Sequence, residues 1–540
     1  MRKQNIFTRT KISLVVASCL AASSMPAFAA DSSQIDEMKQ EIKALEQKLE
    51  SMQADVQKTK QVQQQTAAKV DETKKAQEET QVKVEKVAST VTNMSESIRG
   101  IPTGKGIQVG KVNLQFGGFL ASETAYRSRS LQSDIGSPYT AIPFASSVGD
   151  NRYNQSEFRG TERQSRVSML ATANVDPETV VSGYYELDFL AAPGTANPNQ
   201  SNSFSPRTRH VYANIDWLDS GFHILAGQNW SLVTLNTQGI TPRNEYIPLT
   251  IDAQYVVGFN WARQWQFRMV KDWDKKYWAA LSFENSQTHG VGGVLPTGVT
   301  GYGYTLPNVG GSLFNSANTM SYNKYPDIVT KFAAETDYGH YEIYDLMRNF
   351  QSSSTTTPAT ANTWTNAVGA GAIIPIVPKV LDFSISGLVG KGVGRYGTSQ
   401  LNDATYNALG ELTPLNGSSF LAGLTWKADP KWDVYANYGE ERVNSSTYAC
   451  ANGTTGTCGF GDGVVTSANL VATTGMSPYL RNVAQSTAGV WWSFYKGGYG
   501  AAKLGLQYSH TTLNTFAAAG GGSLSTSDNM FFTSLRYYPF

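Results

Sequence analysis

Long apolar runs are absent from this sequence beyond its N-terminus. No later segment approaches the roughly 20 apolar residues that a helix needs to cross a bilayer, and the mean hydropathy is −0.30. Charge is also sparse, since Asp, Glu, Lys and Arg make up 16% of the 540 residues and nearly cancel, for a formal net charge of +1. A helical membrane protein is therefore excluded, and the balanced charge gives no indication of nucleic-acid binding. A membrane β-barrel is not excluded, because its strands alternate apolar and polar residues.

Cysteine and histidine are scarce as well, which limits the available chemistry. The chain has three cysteines and five scattered histidines, and neither the G-x-S-x-G motif nor the H-E-x-x-H motif occurs. We therefore expect no enzymatic activity, no cofactor and no metal site. Cys450 and Cys458 lie on either side of a short Gly- and Thr-rich stretch. In an exported protein, a pair that close together is most simply a disulfide within a loop.

Residues 1–29 predict export. A basic head, an apolar run over 12–22 and an A-x-A sequence at 27–29 are typical of a secretory signal peptide, with the mature chain starting near Ala30. The alternative is a lipoprotein signal that uses the sequence VASC at 16–19, with Cys19 lipidated. The apolar run before Cys19 is short, so we favour the A-x-A site.

Residues 30–100 carry a heptad repeat that contains neither Gly nor Pro before Gly100. From 35 to 98, apolar residues, Gln or Thr occupy the a and d positions in one register, which predicts a left-handed coiled coil about 95 Å long. β-branched residues at both positions favour three strands over two, so we expect a homo-oligomer. The alternative is a lone frayed helix or a disordered tail. The sequence GIPTGKG that follows is one residue short of a phosphate-binding loop and is interpreted as a hinge.

From residue 111 onward the pattern changes to β-strands separated by turn residues. In 181–189, for example, apolar and aromatic residues alternate with polar and acidic ones, as expected of a barrel strand. About sixteen strands are predicted, at 111–126, 166–173, 181–189, 206–217, 221–230, 255–271, 276–286, 327–337, 340–350, 362–374, 379–395, 418–428, 431–443, 480–494, 499–512 and 528–540. The segment 255–271 is either one long strand or two short ones. We therefore predict an all-β transmembrane barrel over 101–540, after a signal peptide over 1–29 and an α-helical coiled coil over 30–100.

The connections between the predicted strands alternate in length. Short ones lie near 176–178, 218–220, 272–275, 429–430 and 495–498. Long ones, rich in Gly, Ser, Thr and Asn, lie near 128–162, 191–205, 287–325, 396–417 and 444–479. Short turns on one rim and long loops on the other are typical of outer-membrane barrels. Because the coiled coil enters the first strand from the short-turn rim, we expect it in the periplasm.

The last stretch, DNMFFTSLRYYPF at 528–540, is dense in aromatic residues and ends in Phe. Closing strands of bacterial outer-membrane barrels usually end in this way, whereas the alternative is an ordinary terminal strand of a soluble β protein. Strict alternation puts Phe540 on the same face as Arg536 and opposite Phe531. Pro539 cannot donate to a strand ladder, so a kink or bulge near it could bring Phe540 to the lipid face.

Charged residues within the strands are assigned to the barrel interior, because a charge that faces lipid is destabilising. This set comprises Arg166, Glu186, Asp188, Arg268, Glu284, Lys331, Glu335, Arg481, Lys503 and Arg536. Arg207 and Arg209 are added, although they share their parity with apolar residues, and Arg263 falls on an aromatic face where only a bulge could place it. Arg and Lys outnumber Asp and Glu in the set, which predicts a preference for small anions. The alternative is that mixed charges merely keep a pore wet.

The connection 229–254 is the candidate constriction of this pore. It follows the fifth predicted strand, is long for a connection and contains two prolines. Its polar residues include Arg243, Asn244, Glu245 and Asp252. A loop folded back into the lumen at this point would set the size and selectivity of the pore. The alternative is a plain external loop.

A signal peptide, a heptad rod, the sequence AGQNWS after RHVYANIDW, and the terminal LRYYPF together resemble the DcaP-like porins of Gram-negative outer membranes. The resemblance covers essentially the whole mature chain. It implies a homotrimeric, sixteen-stranded barrel in outer-membrane lipid, with a coiled-coil extension, that takes up small negatively charged solutes such as dicarboxylic acids. It assigns no individual binding residues.

A structural tether is the main alternative function. In this interpretation the barrel is a plugged anchor, and the coiled coil reaches peptidoglycan or periplasmic proteins. A lumen lined by charges favours a channel, whereas a lumen filled by bulky apolar side chains favours a plug.

Overall fold

The computed structural model describes residues 106–145, 151–191, 199, 202–306, 320–450, 456–465 and 479–540, together with five residues of the predicted coiled coil. These five are helical and exposed: Lys43, Ala44, Gln47, Lys48 and Ser51. The predicted signal peptide with Cys19, the rest of the predicted coiled coil and the linker up to residue 105 lie outside the described residues. Within the described ranges, no helix has the length and apolar character needed to cross a bilayer.

Sixteen long antiparallel strands form one closed barrel. In chain order they are β1 (Val112–Arg127), β2 (Arg166–Asn174), β3 (Thr179–Ala191), β4 (Ser205–Trp217), β5 (Phe222–Trp230), β6 (Arg263–Trp273), β7 (Tyr277–Glu284), β8 (Asp327–Thr336), β9 (Gly339–Ser353), β10 (Thr360–Val377), β11 (Leu381–Lys391), β12 (Asn416–Asp429), β13 (Trp432–Val443), β14 (Leu480–Gly497), β15 (Gly500–Thr515) and β16 (Ser525–Tyr538). Consecutive strands pair with each other, and β16 pairs with β1 to close the sheet. Two short strands, Ile107–Val109 and Glu157–Thr161, pair with the two ends of β1.

The predicted barrel of sixteen antiparallel strands is confirmed, with one boundary corrected. The prediction ran a strand over 255–271, whereas β6 begins only at Arg263. Tyr255 has a φ of 68°, a left-handed conformation that a continuous strand does not accommodate. Residues 255–262 therefore belong to the preceding connection, and their aromatic rings pack against one another instead of facing outward. Alternating aromatic residues imitate a strand pattern whether they face lipid or a packed loop.

The same corrected boundary explains the position of Arg263, which the sequence analysis could not assign to the inside of the barrel without a bulge. It is the first residue of β6, so it lies at the end of the strand and not within it. Its guanidinium lies over the rings of Trp230 and Trp261, at 5.1 and 5.3 Å from their centroids. Cation–π contacts of this kind hold an arginine beside aromatic residues without a bulge.

Side chains alternate between the outside and the inside of the barrel along each strand. In β16, Phe531 and Leu535 are 50% and 48% exposed on the outside, whereas Phe532 and Ser534 are buried inside. Aromatic side chains gather on the outside near the short turns, where Trp432 and Trp492 stack with their ring centroids 5.7 Å apart. An apolar outer face bordered by aromatic residues is typical of a barrel surrounded by hydrocarbon.

The C-terminus leaves the inward face at Pro539. Tyr538 ends β16 and is buried, with its ring centroid 5.3 Å from that of Phe119 inside the barrel. Strict alternation would also send Phe540 inward. Instead Phe540 is 45% exposed, and its ring centroid lies 6.4 Å from that of the outward-facing Phe116.

The barrel interior contains two large apolar clusters. One joins wall residues of β13–β16 and β1, such as Trp491, to two connections that enter the barrel, at 131–144 and 251–257. The other joins wall residues of β6–β11, such as Leu346, to residues 232–240. The hydrophobic core of this protein therefore lies inside the barrel, where inward-folding connections pack against the wall.

One acidic side chain on the outer face should weaken the barrel. Asp345, midway along β9, is paired with Thr330 and Val368 and lies on the same face as the exposed Ile343 and Met347. It has no hydrogen bond or ion pair within the described ranges. Since a carboxylate facing hydrocarbon costs about 1–3 kcal/mol, Asp345→Val should raise the free energy of unfolding by that amount. Urea unfolding of the barrel refolded into lipid vesicles measures this change.

The control for this change is Thr330→Val, on the same outward face, which should shift the unfolding free energy by less than about 1 kcal/mol. A loss of stability in Asp345→Val, with the control unchanged, would show that another protein surface and not lipid covers this face.

Candidate functional site

The connection between β5 and β6, residues 231–262, folds into the barrel and is called the inner loop below. It crosses between distant walls. Near its start, the Leu232 N–H donates to the Glu284 carboxylate on β7 at 2.8 Å. Near its end, the Gly258 N–H donates to the Glu441 carboxylate on β13, also at 2.8 Å. The structure therefore places the predicted constriction segment inside the barrel.

Acidic and amide side chains of the wall accept hydrogen bonds from the backbone N–H groups of the inner loop. Besides Glu284 and Glu441, the acceptors are Glu342 for Asn236, Glu335 for Gly239, Gln507 for Ile251 and Gln485 for Val257. A buried N–H without a partner costs about 1–3 kcal/mol. These side chains therefore allow a polar backbone to lie within the barrel.

Buried cations of the wall bind the carbonyl oxygens of the same segment. Lys331 Nζ donates to the Thr234 carbonyl at 2.8 Å and to the Glu342 carboxylate at 2.7 Å. Arg268 Nη2 donates to the Trp230 carbonyl at 2.7 Å. Lys331 and Arg268 are 0% and 1% exposed. They hold the polypeptide and do not face the open space.

A second connection also enters the barrel, which the sequence did not predict. Residues 128–145 were expected in a long external loop over 128–162. Instead Ile135 and Ile142 are fully buried. Asp252 of the inner loop accepts the Ser137 N–H at 3.0 Å, and the Tyr139 hydroxyl donates to the Tyr255 carbonyl at 3.0 Å. The two inward-folding connections therefore support each other.

A cavity of about 650 Å³ extends from the inner loop towards the short-turn end of the barrel. Asp337, Asp382 and Lys427 line it at that end, close to the short turns. Arg209 and Tyr255 line it at depth, beside the inner loop. This cavity is the candidate path of a solute.

Charge in this cavity is balanced overall and unevenly distributed. The lining contains six Arg or Lys side chains and seven Asp or Glu side chains, so the predicted excess of positive charge does not hold for the cavity as a whole. At the short-turn end, Lys427 lies 3.1 Å from Asp382, and Lys503 lies 3.8 Å from Asp433. The arginines are concentrated instead on the wall formed by β2–β4 and on the inner loop.

Arg166, Arg209 and Arg243 form the part of the lining called the arginine cluster below. Arg209 is buried, and its guanidinium donates to Glu186 at 2.5 Å and to Asp188 at 3.0 Å. Arg166 reaches the same Glu186 only at 4.0 Å. With Arg207, which also binds Asp188, three guanidiniums share the two carboxylates of Glu186 and Asp188, which leaves the local charge positive.

A β-bulge brings Arg207 and Arg209 inside. In the pairing of β3 with β4, Glu186 lies opposite His210 and Leu187 lies opposite Thr208, so Arg209 is the extra residue. Arg209 and His210 are consequently both buried. Arg207 also points inward, with its Nη2 2.7 Å from Asp188. A strict alternation rule does not detect an inserted residue. This explains why Arg207 and Arg209 share their parity with apolar residues in the sequence.

Arg243 is the cation that the inner loop contributes to the cavity. Its φ is 72°, a strained left-handed conformation for a residue with a side chain. The guanidinium donates to the Tyr212 hydroxyl at 2.7 Å and lies 5.7 Å from the ring centroid of Tyr184. Arg166 lies in the same way over Phe119, at 5.3 Å. The Nε atoms of Arg166 and Arg243 are buried without a hydrogen-bond partner in the described ranges.

Two groups of the inner loop respond to this environment. Burial raises the pKa of Tyr255, but the charges of Arg209, Arg263 and Arg166 outweigh it and hold the pKa below its ordinary value. Burial raises the pKa of Glu245, although the charges of Arg268 and Arg243 oppose it. The neighbourhood of Tyr255 is therefore electropositive, and Glu245 carries its negative charge less readily than an exposed glutamate.

Most of the predicted interior residues fall into two groups. Those that line the cavity are Arg166, Glu186, Arg209, Arg243, Glu245, Asp252, Glu335, Lys503 and Arg536. Those that lie inside without lining it are Asp188 and Arg207 beside the arginine cluster, and Arg268, Glu284 and Lys331 against the inner loop. Asn244 is buried, and its carbonyl accepts the Thr237 N–H at 2.7 Å. Arg481 is a bulged residue near the long-loop end of β14, so simple alternation does not define its direction.

Aromatic residues of the lining were missed by the sequence analysis. They include Phe119, Tyr184, Trp230 and Trp491. The guanidinium of Arg536 lies 4.7 Å from the ring centroids of both Phe119 and Trp491. The available signal was their shared parity with inward-facing charges, such as Tyr184 with Glu186. Assigning aromatic residues to the lipid face as a rule concealed it.

Cys450 and Cys458 form a disulfide, with their Cα atoms 5.1 Å apart. It closes a hairpin at the long-loop end of the barrel, made of Ser446–Ala449 and Thr457–Phe460. Phe460 is fully buried and packs against Phe516 of the next long connection, with ring centroids 5.5 Å apart. The hairpin therefore packs into the interior at this end.

The comparisons with known proteins support the fold. No family model matches the sequence, and no curated protein is significantly similar to it. Among solved structures, the outer membrane channel DcaP of Acinetobacter baumannii has a TM-score of 0.55 at 16% identity, over 81% of this chain and 100% of that chain. An anion-selective porin from Comamonas acidovorans has a TM-score of 0.42 at 9% identity, over 79% of this chain and 99% of its own. OmpF of Salmonella typhi, solved with daunomycin, has 0.42 at 11%, over 80% and 99%. The predicted resemblance to DcaP is thereby confirmed at the level of the fold.

Gly258 should be essential for seating the inner loop. Its φ is 87°, and a Cβ added there would lie 2.0 Å from the Phe420 carbonyl oxygen of β12. Gly258→Ala should therefore displace the loop from the wall, break its hydrogen bond to Glu441 and destabilise the barrel by about 2–4 kcal/mol. Urea unfolding in lipid vesicles and limited proteolysis of the folded protein measure the two effects.

The matched control is Gly298→Ala, in a long connection. Its φ is 79°, but nothing lies within 4 Å of the added Cβ. In this control the free energy of unfolding should fall by only about 1 kcal/mol, because only the backbone conformation is disfavoured. Equal losses in the two variants would show that Gly258 matters for its backbone angle and not for the contact.

Proposed function

We propose that this protein is an outer-membrane porin for passive uptake of small hydrophilic solutes, biased towards small anions such as dicarboxylates. The observation that carries the proposal is the arginine cluster beside the inner loop, in the wall of a large cavity within a closed barrel. No bond is made or broken, and no cofactor is needed.

The proposed preference for anions follows from the hydrogen-bond and ion-pair partners of the arginine cluster. Arg209 donates hydrogen bonds to two carboxylates, whereas Arg166 reaches Glu186 only at 4.0 Å, beyond hydrogen-bond distance, and Arg243 donates to the Tyr212 hydroxyl. A guanidinium that is not hydrogen-bonded to a carboxylate retains donors for the oxygens of a solute carboxylate or phosphate. The cavity's low-dielectric aromatic walls strengthen that attraction. The paired charges at the short-turn end contribute little field of either sign.

The placement of the protein follows from the same fold. The short-turn rim would face the periplasm, where the predicted coiled coil over 30–100 would extend from it as a homotrimeric rod. A row of small outward residues supports subunit contact at β2–β5, because Ala171, Gly183, Ala213 and Ala226 are paired in register across these strands. Their small side chains leave a smooth surface on which a second barrel can pack closely.

Removing the arginines should abolish the anion preference. In planar bilayers under a salt gradient, the purified protein should show an anion-selective reversal potential and a concentration-dependent block by a small dicarboxylate. In the double variant Arg166→Gln/Arg243→Gln, the reversal potential should move towards cation selectivity. Block should weaken about tenfold or more, since each charged hydrogen bond lost is worth about 1.5–3 kcal/mol.

The control is Lys427→Gln, which removes one positive charge from the same cavity at a position already paired with Asp382. It should change selectivity and block much less than the double arginine variant does. Steady conductance that is cation-selective in the unaltered protein would keep the porin and reject the role of the arginines. No conductance from folded protein would reject the channel.

The apolar packing inside the barrel favours a second candidate, the structural tether. The two interior clusters include fully buried residues such as Ile135, Ile240 and Phe532, which are the bulky apolar filling expected of a plug. In that case the barrel would be an anchor, and the predicted rod would carry the function.

Deletion of residues 35–98 separates the channel from the tether. A channel should retain the conductance and selectivity of each barrel, with weaker association between subunits, because the cavity residues all lie in the barrel. Conductance in bilayers and oligomer size in detergent measure the two properties. A tether would conduct in neither form, and cells with the shortened protein would lose attachment of the outer membrane to the cell wall.

A further inference from the structure

Three basic side chains lie on the outer face of the barrel at its long-loop end, and are called the outer basic rim below. Lys391 is the last residue of β11, Arg442 is the next-to-last residue of β13, and Lys324 lies three residues before the start of β8. All three are exposed. None has a side-chain hydrogen bond or ion pair within the described ranges, so their charges are not neutralised there.

The strand register brings two of these cations to the same edge. Ser418 of β12 pairs with Val389 of β11 on one side and with Arg442 of β13 on the other. Lys391, two residues beyond Val389, shares its outward face and pairs with Asn416. Lys391 and Arg442 therefore stand on either side of the end of β12 and point away from the lumen.

An apolar and aromatic surface lies directly below the rim. Val389, Phe420 and Tyr438, on the outward faces of β11, β12 and β13, are 61%, 40% and 47% exposed. The third cation, Lys324, has its Nζ 5.4 Å from the ring centroid of Tyr325, and that ring packs against the outward-facing Trp364 of β10, with centroids 5.1 Å apart. The positive charges thus stand at the boundary between an apolar belt and the polar loops, where lipid headgroups lie.

The rim is confined to one side of the barrel and faces little opposing charge. The acidic residues on the outward faces of β9 and β13 are Asp345, midway along β9 and away from the rim, and Glu440, which accepts a hydrogen bond from the Asn482 side-chain amide at 3.2 Å. On the opposite side, the outward positions of β2–β5 in the described ranges carry no Lys or Arg. That side presents the row of small residues described above, so the basic rim lies where lipid and not a subunit would be the neighbour.

We propose that the outer basic rim binds the phosphate groups of lipid in the outer leaflet, with the acyl chains lying on the apolar surface below. Arg and Lys are suited to phosphate oxygens, and the contiguous apolar surface fits the chains of the same molecule. Free phosphate would use the cations without that surface. This inference rests on the proposed location in the outer membrane, but not on conduction or on the arginine cluster.

Native mass spectrometry and thermal unfolding of the full-length protein in neutral detergent test the proposal. The probes are phosphorylated lipid A, dephosphorylated lipid A and inorganic phosphate. The phosphorylated lipid should bind and raise the melting temperature, the dephosphorylated lipid should bind at least tenfold more weakly, and inorganic phosphate should leave the melting temperature unchanged. The variant Lys324→Gln/Lys391→Gln/Arg442→Gln should lose at least tenfold in affinity for the phosphorylated lipid.

Lys496→Gln is the matched control, because it removes an exposed cation at the short-turn rim. It should bind the phosphorylated lipid as the unaltered protein does. Lys391→Gln alone, which leaves the rest of the rim intact, should give an intermediate loss and guards against misfolding of the triple variant. Unchanged lipid affinity in the triple variant overturns the proposal, as does equal stabilisation by inorganic phosphate.

Conductance separates this test from that of the channel. The triple variant should conduct with unaltered selectivity, since none of its substitutions lines the cavity. Absence of conductance in the unaltered protein would reject the channel while leaving the lipid measurement valid. Loss of lipid binding at normal conductance in the triple variant assigns the rim to lipid alone.

Discussion

The need to satisfy backbone hydrogen bonds inside the barrel is the constraint on which this structure depends. A connection that leaves the sheet and enters the lumen takes its N–H and C=O groups away from both water and the strand ladder. In the barrel wall, carboxylates such as those of Glu284, Glu342 and Glu441 accept hydrogen bonds from the N–H groups. Lys331 and Arg268 donate hydrogen bonds to the carbonyl oxygens. Glu284, Lys331 and Arg268, which the sequence analysis assigned to the pore interior, support the polypeptide.

Because these side chains bind the polypeptide, only the other charged side chains remain to bind a solute. Lys331 and Arg268 donate hydrogen bonds to carbonyl oxygens of the polypeptide, and Arg209 donates to the carboxylates of Glu186 and Asp188. Arg166 and Arg243 line the cavity and make no hydrogen bond to a carboxylate within the described residues, so they retain donors for a solute. A count of charges therefore gives a poor estimate of selectivity here, because the lining as a whole is balanced. What matters is which charges already have a partner of opposite sign at short range.

The sequence predicts the barrel wall well and its contents poorly, for one physical reason. Each strand of the wall faces lipid on one side, so its outward residues alternate with period two and all sixteen strands are recognisable. The interior follows no such period. Aromatic residues 255–262 alternate as a strand does, yet they pack within the inner loop. The inserted Arg209 shifts the parity of β4, and residues 128–145 enter the barrel without a sequence pattern that distinguishes them from an external loop. The inward course of residues 229–254 could be predicted because the length, prolines and position after the fifth strand set this connection apart.

Apolar packing in the lumen and a path for solutes are compatible in this architecture. The two apolar clusters lie where the inward connections meet the wall, whereas the cavity is lined by the polar edge of the inner loop and by the arginine-bearing wall. A loop held only by hydrogen bonds to side chains would be mobile, and a passage beside it would have no fixed width. Packing on one side and hydrogen bonding along the backbone together fix its position. A defined opening then follows from the same apolar contacts that, considered alone, indicate a plug.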